Sequence, residues 1–279
     1  MKKLFALFVT PLIFLTMASE AQNIFSALHH NELREYKFGL PVQIIETNIF
    51  YSSNNTQVEK NIKTYDRSGM LLTEDRYDED GKLTAKLTYT NDTIKRLTMQ
   101  RVFERWTSLG YNKETAIYFY DDKNFLIRIK DVDANSNTIR VSELVNNDKG
   151  DPTALHLYDG NGNSFGVEKA EYFYDKNIAV TTVFSNDGRK LSTDSLKINF
   201  HKTDTSIIDK SNYNEHGDVL SGSTRNLNGS LTFYEYEYIY DTIGNCIDEK
   251  IYSVTMKGNG KKKRKLDRHF KKEIIYNQS

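Results

Sequence analysis

From Val42 onward, apolar and polar residues alternate with a period of two, and runs of Asp, Asn and Gly interrupt the pattern. Alternation at that period places successive side chains on opposite faces of an extended strand. The clearest run is Leu231–Tyr240, LTFYEYEYIY, in which Tyr234, Tyr236, Tyr238 and Tyr240 share one face while Phe233, Glu235, Glu237 and Ile239 take the other. Ile117–Tyr120, Glu171–Tyr174 and Val180–Phe184 repeat it in shorter form, and Val42–Tyr51 mixes Ile, Phe and Tyr with Thr and charge. Only Asn23–Glu35, with Ile24, Leu28 and Leu33 loosely at helical spacing, predicts a short helix. The pattern predicts an all-β fold, an elongated, twisted, open antiparallel sheet of repeated hairpins.

The interruptions are themselves a repeat. Thr64–Leu83 holds two copies, Tyr65-Asp66-Arg67-Ser68-Gly69-Met70-Leu71 and Tyr77-Asp78-Glu79-Asp80-Gly81-Lys82-Leu83. Tyr ends a strand, the Asp side chain can accept backbone N–H groups two residues on, and Gly takes the left-handed backbone conformation of a short hairpin loop. Related units occur at Asn147–Gly150, Tyr158–Gly162, Asn186–Leu191, Tyr213–Leu220, Leu227–Leu231 and Tyr240–Ile247. Tyr120–Asn124 and Tyr174–Asn177 put Asn in the Gly position, the next-best residue there. Gly69 to Gly81, Gly150 to Gly162 and Gly217 to Gly229 are each 12 residues apart, a meander spacing that leaves strands of roughly 6–8 residues.

Residues 1–21 read as an address. Lys2 and Lys3 precede the apolar run Leu4–Met17, and Ser19-Glu20-Ala21 offers small residues at the −3 and −1 positions of a signal-peptidase site. The run of 14 residues is shorter than the ~20 of a spanning helix. The expected layout is a cleaved signal peptide (1–21), a lead-in (22–41) and one β-repeat domain (42–279). The chain after residue 21 has 279 − 21 = 258 residues, with 36 basic and 37 acidic side chains. That balance argues against nucleic acid or an anionic membrane as the main partner. Cys246 is the lone cysteine, so stability rests on packing and strand pairing.

Tyr-Asp-x-x-Gly followed by an apolar residue, repeated after a signal peptide, resembles the YD (RHS-type) repeat family of exported bacterial proteins. Tyr65–Leu83 and Tyr213–Leu220 carry the resemblance most closely. In that family the repeats pair into long, twisted β-sheets, which in the large members curl into a shell around a toxin. The resemblance implies a fold and a surface location, and it carries over no catalytic residue.

Several stretches hold candidate chemistry. Asp131–Asn137 and Asp159–Asn163 begin like calcium loops, with Ser136 and Ser164 where Gly is needed and no closing Glu at Ser142 or Ala170; turn closure explains the same residues, so no cofactor is expected, and calcium is the one alternative. His29, His30, His156, His201, His216 and His269 show no zinc spacing. They read as surface or loop residues, and Cys246 reads as a small buried residue opening a strand. Trp106 lies in Thr90–Lys113, where the repeat breaks down. Tyr234 and Tyr236 offer aromatic faces to sugar rings or to cross-strand packing. Lys261, Lys262, Lys263, Arg264 and Lys265 read as a basic turn, either contacting an acidic polymer or guarding a sheet edge. Asp92-Thr93-Ile94, Asp194-Ser195-Leu196 and Asp241-Thr242-Ile243 resemble the Asp-Ser/Thr-apolar signal of periplasmic O-glycosylation in some Gram-negative bacteria.

The expected function is a non-enzymatic binding or scaffold module in the periplasm, at the outer-membrane surface or outside the cell, engaging an envelope protein or glycan. Two alternatives stand beside it: an envelope glycan hydrolase using paired carboxylates, and a toxin-associated accessory or immunity factor. Neither nucleic acid nor a transmembrane helix enters any of the three.

Overall fold

The computed structural model describes residues 23–28, 36–52, 55–197, 212–225, 231–256 and 262–277. A short helix, α1 (Ile24–Leu28), precedes the strands. The first twelve are β1 (Pro41–Tyr51), β2 (Thr56–Tyr65), β3 (Leu71–Tyr77), β4 (Leu83–Asp92), β5 (Leu97–Thr107), β6 (Gly110–Tyr120), β7 (Leu126–Asp133), β8 (Thr138–Asn146), β9 (Pro152–Asp159), β10 (Ser164–Phe173), β11 (Ile178–Ser185) and β12 (Lys190–Lys197). After them come β13 (Ser221–Arg225), β14 (Leu231–Tyr240), β15 (Cys246–Met256) and β16 (Lys262–Tyr276). The residues 1–22 that hold the expected signal peptide, the predicted turn at 227–230, and Lys261 lie outside the described residues, as do His29, His30 and His201.

All sixteen described strands form one open antiparallel sheet, as the alternation predicts. β1 to β12 follow one another as a meander, β13 to β16 form a second, and β16 pairs with β1 to join them. Pairs such as Ile44↔Lys63 and Ile44↔Ile274 fix the register on either side of β1. Edge positions among the described strands fall to β12 and β13.

The repeated turns close as the side-chain chemistry requires. Asp66 Oδ1 accepts the backbone N–H groups of Ser68 (2.8 Å) and Met70 (2.9 Å). Gly69, at φ +79°, donates its N–H to the Asp66 carbonyl at 2.9 Å. The same pattern returns at 78–82, 121–125, 133–137, 147–151, 159–163, 214–218 and 241–245. Asn124 and Asn177 stand at φ +66° and +53° in place of Gly, and Ser136 adopts +67° in the stretch that began like a calcium loop.

Most buried side chains share one face, here termed the inner face. Cross-strand pairs place Ile44, Lys63, Glu74 and Leu87 there, then Ala116, Asp131, Ile129, Ser142, Leu144 and Leu155. α1 lies against this face. Ile24, 1% exposed, packs with Ala116, Tyr118, Leu126, Ile129, Leu144 and Leu155. Glu168 Oε2 accepts the Ile24 N–H at 2.8 Å. Burying an aliphatic side chain of this size stabilises by roughly 1.5–3 kcal/mol. A second cluster, Tyr36, Ile44 and Tyr65, anchors the end of the lead-in.

Two expectations are corrected. The basic run is strand: Lys262, Lys263, Arg264 and Lys265 pair with Met256, Thr255, Val254 and Ser253, so the hairpin register continues through them. Outer-face acids make this tolerable by meeting half of the charge, as described below. His269 is no surface histidine; it is 8% exposed, and its Nε2 lies 2.8 Å from Asp248 Oδ2, which satisfies the buried ring.

Candidate groove on the inner face

Register places the residues of β14, β15, β16 and β1 in rows across the inner face. Tyr234, Ser253 and Lys265 form one row; Tyr236, Ile251, Arg268 and Phe50 form the next; Tyr238, Glu249, Phe270 and Asn48 form a third. The rows exist because β15 and β16 pair with one extra residue, Asp267, between Ile251↔Arg268 and Tyr252↔Leu266. The bulge keeps Arg268 and Lys265 on the same face although they are three apart in sequence.

The tyrosines form a regular ladder. Tyr236 and Tyr238 have ring centroids 6.3 Å apart and planes within 5°, and Tyr238 and Tyr240 follow at 6.2 Å. Phe50 meets Phe270 edge to face at 6.1 Å, and the Arg268 guanidinium sits 5.9 Å from the Phe50 ring. All three tyrosines from 234 to 238 are half-buried.

At its lower end the ladder opens into a cavity of about 240 Å³ lined by Lys37, Asp218, Tyr238, Cys246, Glu249 and Lys272, among others. Burial pushes the Glu249 carboxyl up, against the opposing pull of the Lys272 ammonium. Burial likewise raises the Cys246 thiol, helped by Glu249. Asp218 is tied on both oxygens, to Lys37 Nζ at 2.8 Å and to the Tyr240 hydroxyl at 2.7 Å. The lead-in forms the cavity's lip through Asn245, which is 2% exposed: its Oδ1 accepts the N–H groups of Lys37 (2.7 Å) and Phe38 (3.0 Å), and its Nδ2 donates to the Phe38 carbonyl.

Strand alternation divides the basic run between faces. Lys262 and Arg264 point outward, where Lys262 pairs with Glu235 and Arg264 pairs with Glu235 (3.0 Å) and Glu237 (2.8 Å). Arg264 also lies 4.0 Å over the Tyr252 ring. Lys263 and Lys265 point inward and are exposed, Lys265 in the row of Tyr234 and Lys263 one row beyond it. Among the described residues, Lys263 and Lys265 therefore lack the acids that neutralise Lys262 and Arg264.

Tyr234, Tyr236, Lys263 and Lys265 are thus brought together, while Lys262 and Arg264 are set on the opposite face. Trp106 is not part of the groove. It lies on the outer face of β5, 5.6 Å from Tyr111, whose hydroxyl donates to Glu104 at 2.6 Å. Phe50, Glu249, Arg268, Phe270 and Lys272 escaped the sequence reading. The sequence of β16 was read only as a basic turn leading to a last strand, and the bulge and the β1 pairing say which of its residues face the tyrosines. Cys246, read as buried, is half-buried against the cavity.

The acidic turns are used internally. Asp131 is held by Arg140 at 2.7 and 2.9 Å. Asp133 accepts from Asn135 and Asn137, and Asp159 accepts from Asn161 and Asn163. Among the described residues, no three or more His, Cys, Asp or Glu side chains converge as a metal site would need.

No protein-family model matches the chain. No curated protein matches it either. Among solved structures, a porin-like protein from Bacteroides uniformis ATCC 8492 is similar at 13% identity over 84% of this chain and 96% of that one, with a TM-score of 0.45. TcdB2-TccC3 is similar at 11% identity over 77% of this chain, with a TM-score of 0.29, and the match spans 14% of its length.

Proposed function

We propose that this is an exported β-repeat protein of the YD type that acts as a non-enzymatic binding module at the cell envelope, holding a glycan or protein in the inner-face groove. One observation carries the reading: Tyr234, Tyr236 and Tyr238 share a face with Lys263, Lys265 and Arg268, and the acids that balance the basic run lie on the other face. Aromatic surface on one face with Lys263 and Lys265, which have no acid partner among the described residues, suits a polymer with both ring faces and negative charge. A rigid sheet holds them in place without reorganisation on binding.

The test is a glycan array together with recovery of partners from an envelope fraction. The wild type and the Lys262→Glu/Arg264→Glu variant are expected to retain the same partner, while Tyr236→Ala and Lys263→Glu/Lys265→Glu lose it. A wild-type chain that retains nothing in either format would overturn the reading.

A second reading is favoured by Glu249, a half-buried carboxyl raised by burial in the same cavity as Asp218. Two carboxyls lining one cavity are the arrangement a glycan hydrolase uses. Release of reducing ends from a bound glycan, lost in Glu249→Gln while binding persists, would favour it over simple binding.

A further inference from the structure

Three tripeptides in this chain pair Asp with a hydroxyl residue and an aliphatic one, and the fold treats them differently. Asp92-Thr93-Ile94 forms the tip between β4 and β5. Asp92 Oδ1 accepts the N–H groups of Ile94 (3.0 Å) and Lys95 (2.9 Å), which bends the chain so that Thr93 and Ile94 stand in solvent, Ile94 at 94% exposure. Asp241-Thr242-Ile243 forms the tip between β14 and β15 in the same way, with Oδ1 accepting from Ile243 (3.0 Å) and Gly244 (2.8 Å), Thr242 exposed and Ile243 at 44%. Asp194 and Ser195 instead sit inside β12, paired to Thr181 and Val180. A modifying enzyme can draw in a turn tip without breaking a ladder, whereas Ser195 has backbone pairs to lose.

We propose that Thr93 and Thr242 are O-glycosylation acceptors, a pair of modification sites on one rim of the sheet. Antiparallel strands return every second turn to the same rim, so the β4–β5 and β14–β15 tips share it with the β2–β3 tip and the lead-in at Tyr36–Leu40. The proposal rests on the export reading, because the transferases that read such signals act outside the cytoplasm. In the transfer, the Thr Oγ1 bonds to the anomeric carbon of a glycosyl pyrophosphate donor. The anomeric carbon–phosphate oxygen bond breaks, pyrophosphate leaves with that electron pair, and the hydroxyl proton passes to a base of the transferase. The aliphatic third residue, exposed at both tips, gives the transferase an apolar contact, and the carboxylate gives it a charged one.

The test is the intact mass and peptide map of the chain purified from the envelope of its native host. A mass excess over the polypeptide starting at Gln22 is expected, carried on the peptides that contain Thr93 and Thr242. Thr93→Ala and Thr242→Ala each remove part of the excess, the double variant removes all of it, and Ser195→Ala leaves it unchanged. Asp92→Asn keeps a turn-closing oxygen but loses the carboxylate, and Thr93 is expected to be bare in that folded variant. Thr93 still modified in Asp92→Asn would overturn the tripeptide as the signal. A chain that starts at Gln22 with a bare mass, or with sugar on Ser195 alone, overturns the glycosylation proposal and leaves export standing. A chain that retains Met1 overturns both.

Discussion

Tyr240 donates its hydroxyl proton to Asp218 across 2.7 Å, and Asn214 Nδ2 in turn donates to the Tyr240 oxygen at 2.6 Å. Tyr240 opens one Tyr-Asp unit, while Asn214 and Asp218 begin and end an earlier turn on the same rim. Tyr174 makes the same two contacts to Asp151 and Asn147, and Tyr276 makes them to Asp241 and Asn245. In each case Tyr ties down an earlier turn, and at Tyr240 the following Asp241 begins a new one. The pairing of the two residue types in the repeat therefore couples hairpins that are not neighbours in sequence.

Removing one such tie has a predictable cost. Tyr240→Phe leaves Asp218 and Asn214 short of a partner and is expected to destabilise the chain by about 1–2 kcal/mol. Tyr158→Phe, whose ring carries no such tie to a turn, is the control. Urea midpoints of both variants check this, and equal midpoints would remove the hydroxyl from the account of stability.

The glycines of the opening repeat are expected to differ although their backbones match. Gly69 and Gly81 stand at φ +79° and +74°. An added Cβ at Gly69 overlaps the Tyr36 hydroxyl, which donates to the Gly69 carbonyl at 2.8 Å, whereas at Gly81 it meets open space. Both Ala variants lose about 1 kcal/mol from the left-handed backbone. Gly69→Ala loses more, because Tyr36 and the lead-in must shift, and thermal melts of the two variants measure the gap.

Ile24 is the residue on which α1 depends. Ile24→Asp puts a charge into the cluster of Leu155, Ile129 and Leu144 and is expected to cost about 3 kcal/mol or to release α1 from the sheet. Phe25→Asp, at a position 43% exposed, is expected to cost less than Ile24→Asp. Hydrogen exchange of the Ile24 amide reports release directly, since that N–H is held by Glu168.

The rim network sets the response to alkali. Burial, followed by the Asp151 and Asp241 carboxylates respectively, pushes the Tyr174 and Tyr276 hydroxyls up to about 12. A folded-state pKa raised above the ordinary value near ~10 gives stabilisation that is whole below that pH and is lost as pH rises through about 12. Phenolate absorbance in the near ultraviolet is expected to show these tyrosines titrating late and together with unfolding.

Acid acts through the turns themselves. The Asn137 side chain holds the Asp133 carboxyl low, and Asn163 does the same for Asp159. Depressed carboxylates contribute stability that is present above their unfolded pKa near ~3.9 and is lost as pH falls through the folded value. The double variant Asp133→Asn/Asp159→Asn is expected to show a flatter stability curve below pH ~4, with unfolding midpoints against pH as the measurement. Chelation is expected to leave its melting unchanged, since neutral amides replace both carboxylates as acceptors.

The sequence by itself determined the strands, their turns and the two-faced character of Leu231–Tyr240. Period-two alternation and Asp-Gly turn chemistry are local, acting over a few residues, so Gly69, Asn124 and Asn177 were readable without a structure. It could not say that β16 pairs with β1, that Asp267 bulges, or that Lys263 and Lys265 share a face with Tyr234 while Lys262 and Arg264 meet Glu235 and Glu237. Those facts depend on register between strands far apart in the chain, and a shift of one residue exchanges the two faces. The same limit made the basic run read as a turn, because charge gives no sign of a strand whose acids lie on β14. Tertiary structure alone decided that the aromatic ladder, Lys263, Lys265 and the half-buried Glu249 lie on one face, since only strand pairing brings β1, β14, β15 and β16 side by side.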